Sequence, residues 1–125
     1  MRRVLSLMSV AAVFACEHAT DESLARLAAA RPYLASAAQT AEGILAGTRS
    51  CESPLPGYPG CVHDHGQVLL IAPDVGGGAG RRVAGLVFTP PERRPALAMT
   101  LWHFDSLGAP LGHGWHQVIA VAHVD

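Results

Sequence analysis

Trp115-His-Gln-Val-Ile-Ala-Val-Ala-His-Val124 is the stretch that decides how the chain folds. In an extended segment, successive side chains point to opposite faces. One face then carries Trp115, Gln117, Ile119, Val121 and His123, and the other His116, Val118, Ala120, Ala122 and Val124. Both faces are largely apolar, so the segment needs cover on both sides and reads as a central strand. Three further runs rich in branched apolar residues precede it: Gln67 to Ala72, Arg82 to Thr89 and Ala96 to Phe104. Four runs separated by turn signals predict four strands. The connectors are Pro73 to Gly80, Pro90 to Pro95, and Asp105-Ser106-Leu107-Gly108, a turn with glycine at its last position. Short connectors predict an antiparallel β-meander over 67–125.

Upstream of the strands lies a helical pattern over 20–46. Thr20 is placed to cap it, and Asp21 and Glu22 sit in the first turn, where the helix dipole favours acids. Leu24, Leu27, Leu34, Ala38, Ala41 and Leu45 recur at three-four spacing and form one face, which Arg31 interrupts. Pro32 falls inside the pattern, so the helix either kinks there or restarts with Pro32 in its first turn. Gly47 marks the stop. A helix followed only by strands predicts the α+β class, with the helix laid on one sheet face.

The N-terminus carries a different signal. Arg2 and Arg3 precede Val4 to Ala15, twelve residues without a charge, and Glu17, His18, Asp21 and Glu22 end the run. Such a basic start and short apolar run define a secretory signal peptide. As a helix the run rises only about 18 Å, against a hydrocarbon core of about 30 Å. Val13-Phe14-Ala15-Cys16 resembles the lipobox of bacterial lipoproteins. That resemblance implies cleavage before Cys16, a lipid on its sulfur, and residence in the periplasm or cell envelope on a membrane. It also resolves an odd cysteine count. With Cys16 lipidated, Cys51 and Cys61 are left to pair. A bridge there would hold the loop at 47–66, whose three prolines and four glycines exclude regular structure. The expected organisation is therefore a signal peptide over 1–15 and one small domain over 16–125, with helix 20–46, disulfide loop 47–66 and meander 67–125.

Charge narrows the function. Without Arg2 and Arg3, seven arginines face ten acids, a formal charge of −3 (7 − 10), and lysine is absent. No basic stripe exists, which argues against nucleic-acid binding. Lysine and asparagine, both missing, have AT-rich codons, so the composition points to a high-GC bacterial genome. The Gly76–Gly80 run before Arg81 and Arg82 lacks the ending of a phosphate-binding P-loop and reads as a hairpin connection.

Seven histidines invite a metal reading. His63 and His65 flank Asp64 and, two apart in an extended segment, face one side. His113 and His116 flank Trp115, with His103 on the preceding strand. Imidazole suits copper or zinc, so His63, His65, His113 and His116 are the candidate ligands of a periplasmic metal-binding protein. No pair has the spacing of a known zinc motif. No nucleophile elbow or triad spacing is present, so no catalytic or cofactor-binding residue is assigned. A small hydrolase, with Asp64 or Asp105 beside a histidine, is the remaining alternative. The primary expectation is an exported, membrane-anchored binding or assembly protein with a cell-envelope partner.

Overall fold

The computed structural model describes residues 21–73, 82–96, 98, 99 and 101–122. Helix α1 (Asp21–Ala30) runs into a 3₁₀ turn at Arg31–Tyr33, and α2 (Leu34–Ala46) restarts beyond it. Pro32 lies in the first turn of the 3₁₀ segment, where its missing N–H has no intrahelical partner to lose. Gly47 ends α2 with φ +82°. Its N–H donates to Ile44 O and the Thr48 N–H to Gly43 O, the paired bonds of a Schellman cap. The cap expected at Thr20 and the segment over 1–19, with Cys16 and His18, lie outside the described residues.

The buried stripe of this helical pair is Leu27, Ala30, Leu34, Ala37, Ala41 and Ile44. It differs from the leucine stripe expected from sequence. Leu24 is 54 % exposed, and Ala38 and Leu45 only flank the core. The alternating three-four steps hold through the 3₁₀ turn, but alanines occupy half of the stripe. Small side chains let the helices sit close to the sheet.

The sheet has five strands where four were expected: β1 (Gly60–Asp64), β2 (Gln67–Ile71), β3 (Arg82–Phe88), β4 (Trp102–Gly112) and β5 (Trp115–Ala122). All pairings are antiparallel, in the spatial order β1-β2-β3-β5-β4. The C-terminal strand is therefore internal, as its two apolar faces required. The simple meander is corrected, because β5 inserts between β3 and β4. The class is α+β.

Two sequence assignments fail for identifiable reasons. The stretch 47–66 is not irregular throughout, since β1 occupies its last third. Pro54, Pro56 and Pro59 all precede Gly60, so nothing from there on interrupts a ladder. The third strand is not 96–104 but Trp102–Gly112, and the turn expected at Asp105–Gly108 lies within it. Register shifts between Phe104 and Ser106, and again around Pro110, bulge this strand. Phe104 and Leu107, three residues apart, consequently join the same apolar cluster. A bulge adds an unpaired residue and erases the two-residue period.

The two hairpins with two-residue turns among the described residues close through the same dipeptide. His65-Gly66 links β1 to β2, and His113-Gly114 links β4 to β5. All four residues have positive φ, 53° and 74°, then 59° and 90°, as a two-residue type I′ turn requires.

The sheet buries both faces. On the helix side, Val68, Leu70, Leu86, Phe88 and Trp115 meet the helical stripe together with Leu55 and Tyr58. On the other side, Leu69, Val83, Val87, Phe104, Val118 and Ala120 pack under Met99 from the long β3–β4 connection. Buried Gln67 secures that connection. Its Oε1 accepts from the Thr89 hydroxyl at 2.9 Å and from the Ala96 N–H at 3.0 Å. The Cys51–Cys61 disulfide, with Cα atoms 5.7 Å apart, ties the post-helix loop to β1.

Two glycines with similar backbones separate conformational from steric cost. A Cβ on Gly47 meets nothing within 4 Å, whereas one on Gly114 falls 2.7 Å from Phe88 Cε1 and 2.8 Å from Thr89 O. Gly47→Ala is expected to cost about 1–2 kcal/mol from its left-handed φ alone. Gly114→Ala adds a clash in the core and is expected to cost at least about 2 kcal/mol more. Urea denaturation of the two variants measures the difference, and equal losses would contradict this packing.

Candidate functional site

Helix α1 does not seal against the sheet. Between it and β3, β5 and β4 lies a cleft of about 160 Å³. Ser23, Leu24 and Arg26 form its helical wall, and Tyr58 closes one side. The sheet side is built of small residues, Ala84, Gly85, Ser106 and Gly108, with Gln117 and Ile119 of β5. The cleft exists because β3 and β4 place no bulky side chain under α1.

Arg26 is the charged group of the cleft. Its side chain is 15 % exposed, unusual for an arginine, and its Cζ lies 5.8 Å from the centre of the Tyr58 ring. Gly57 permits this approach, since a Cβ there would fall 2.6 Å from Arg26 Cγ. The guanidinium reaches Glu22 only at 3.9 Å, and that carboxylate is 83 % exposed. Such a contact contributes about 0–1 kcal/mol and leaves the arginine weakly compensated. The ring face attracts the cation electrostatically without taking the place of a carboxylate acceptor. Burial pushes the Tyr58 phenol above its ordinary 10.0, and the positive charge of Arg26 partly opposes that shift.

A second groove, about 300 Å³, runs between β1 and the start of β4. Val62, Met99, Leu101 and Trp102 line it beside the disulfide. Trp102 is half-buried and Leu101 is 66 % exposed. It is larger and more apolar, with His63 and Asp64 as its ionisable groups, and among the described residues it holds no arginine.

The histidines are distributed as follows. His63 is exposed on β1, an edge strand, opposite Val68. His65 occupies the first position of the β1–β2 turn, its Nδ1 3.0 Å from Asp64 Oδ1. His113 occupies the same position in the β4–β5 turn. His116 lies on β5 between Val87 and Pro110, and its Nδ1 is buried without a hydrogen-bond partner. The row His63, Val68, Phe88, Trp115 separates the two pairs by three strand spacings, roughly 14 Å. Among the described residues no three His, Cys, Asp or Glu side chains converge as metal ligands. His123 and the Gly76–Gly80 run lie outside them. Asp105 pairs with Arg82 across β5.

Sequence reasoning singled out Arg31, which is exposed, and passed over Arg26. The available signal was positional. Arg26 follows Ser23 by three residues and precedes Ala30 by four, so it borders the buried stripe. No protein-family model, curated protein or solved structure matches the chain.

The raised phenol sets a pH dependence. Below pH 10 the folded and unfolded chains both hold the Tyr58 proton, and its ionisation contributes nothing. Above the ordinary value of 10.0 the unfolded chain ionises first. Stability then falls as pH rises through the folded pKa, with a limiting slope of about 1.4 kcal/mol per pH unit. Tyr58→Phe should remove this component. Denaturation of both proteins between neutral pH and the onset of alkaline unfolding measures it, and parallel curves above pH 10 would count against the burial of this hydroxyl.

Proposed function

We propose that this chain is a small exported binding protein of the bacterial cell envelope, tethered to a membrane by lipid on Cys16. It acts by holding a ligand or an envelope protein partner, without turning it over. The observation that carries the reading is the Cys51–Cys61 disulfide. Disulfides persist in oxidising compartments and are rare in the cytosol. Closing a loop of this length contributes about 3 kcal/mol in the chain-entropy treatment. For a domain of this size that is a substantial part of a net stability of about 5–15 kcal/mol. A fold that depends on the bond belongs where the bond lasts.

The same bond accounts for two of the three cysteines and leaves Cys16. That residue directly follows the apolar run Val4 to Ala15, at the end of the segment that resembles a lipobox. A thiol there is positioned for lipidation at the outer face of the inner membrane. The cleft under α1 supports binding as the mode of action, because it joins a partly desolvated cation to apolar walls. Among the carboxylates that sequence placed beside a histidine, Asp64 contacts His65 and Asp105 contacts Arg82.

The mature N-terminus tests the reading. Mass spectrometry of protein extracted from bacterial membranes should find a chain beginning at Cys16 and carrying a diacylglyceryl group. Cys16→Ala should release the protein from the membrane fraction while leaving the Cys51–Cys61 bond intact. An unprocessed Met1 together with free thiols at Cys51 and Cys61 would overturn export altogether.

A further inference from the structure

We infer that the cleft under α1 binds a small monocarboxylate with a short apolar or aromatic body, its carboxylate held by Arg26. This goes beyond the proposed tethering, which leaves the ligand open, and it stands whether or not Cys16 carries lipid.

The anionic class follows from Arg26. An arginine side chain that is only 15 % exposed has little water around it, yet its acidic partner is a solvent-exposed carboxylate 3.9 Å away. An anion entering the cleft replaces that distant contact with direct, charge-assisted hydrogen bonds. The planar fork of arginine matches a carboxylate through two parallel N–H donors. The ring of Tyr58 attracts the cation without taking the place of a carboxylate acceptor.

Carboxylate is favoured over phosphate by charge and by the walls. A phosphate dianion calls for more positive charge than one arginine supplies, and Glu22 adds a negative charge at the rim. The walls beyond the cation are mainly apolar, with Leu24, Ala84 and Ile119 among them. Leu24 is 54 % exposed at the mouth and is the surface that a ligand's apolar body would cover. Ser106 and Gln117 supply the few polar groups that fix orientation.

Size limits the body. The volume of about 160 Å³ equals that of roughly five liquid waters at about 30 Å³ each. A benzoate or a short-chain fatty acid fits within that volume, and a longer chain would extend past Leu24 at the open mouth.

Titration of the full chain, labelled with nitrogen-15, with sodium benzoate tests the assignment. Benzamide serves as the neutral isostere and inorganic phosphate as a second anion. The Arg26 Nε–H resonance should move with benzoate, with a dissociation constant on the order of 1 mM for so small a ligand. Benzamide and phosphate should bind at least about tenfold more weakly. Arg26→Met should weaken benzoate at least about tenfold, and Glu22→Gln, which removes a competing carboxylate, should tighten it about two- to threefold. Should Arg26→Met fail to fold, Ser106→Leu on exposed β4 fills the cleft, leaves the arginine in place and should abolish binding. Benzamide or phosphate binding as tightly as benzoate would overturn the assignment. So would an unmoved Arg26 Nε–H at about 50 mM benzoate, far above the expected constant, or unchanged affinity in Ser106→Leu.

Discussion

The indole of Trp115 is the contact on which the rest of the arrangement depends. The residue is fully buried, and its Nε1–H donates to the carbonyl of Leu34 at 3.0 Å. Leu34 is the first residue of α2, immediately after the 3₁₀ turn, so this one bond sets where the helical pair bends over the sheet. A buried indole N–H left without an acceptor would cost about 1–3 kcal/mol, which makes the register of helix against sheet specific rather than merely apolar. Phe88 packs against the same ring with centroids 5.4 Å apart at 58°. Gly114 lets the β4–β5 turn pass close by, its carbonyl accepting from the Thr89 N–H. Four elements are thereby referred to a single side chain.

The two halves of the helical pair are seated differently as a result. Leu34, Ala37, Ala41 and Ile44 bury α2 against the sheet, and the Schellman cap and the disulfide fix the loop beyond its C-terminus. Upstream of the bend, α1 buries only Leu27 and Ala30 and leaves Leu24 at the surface. Binding surfaces are drawn from the less stable parts of a fold. The cleft lies under the half that has spare apolar surface and a poorly compensated cation.

Sequence reading recovers what rests on local pattern. The doubly apolar segment from Trp115 on is an internal strand over 115–122, the proline is a helix restart, and Gly47 is the cap. It fails where the pattern is interrupted. The bulges of β4 remove the two-residue alternation, so the strand's second half resembles a turn. In β1 the prolines just upstream mask five residues that only pairing with β2 makes regular. His65 and His113 are among the histidines that suggest metal chemistry when read as a sequence. In the structure both also meet a backbone demand, since histidine tolerates positive φ better than most residues.

The cleft is invisible in the sequence for a different reason. Its walls come from residues 23–26, 58, 84–85, 106–108 and 117–119, segments that share no motif and no spacing. The inserted position of β5 is what brings 84–85 and 106–108 to either side of 117–119, and a meander would not do so. Placing Arg26 requires that topology together with the turn at Gly57. The histidines stand out along the chain because of their number. Arg26 stands out only once its side chain is buried by the fold and its nearest acid is left exposed. Burial of a charge, not its abundance, therefore separates this arginine from the exposed Arg31 five residues further along the chain.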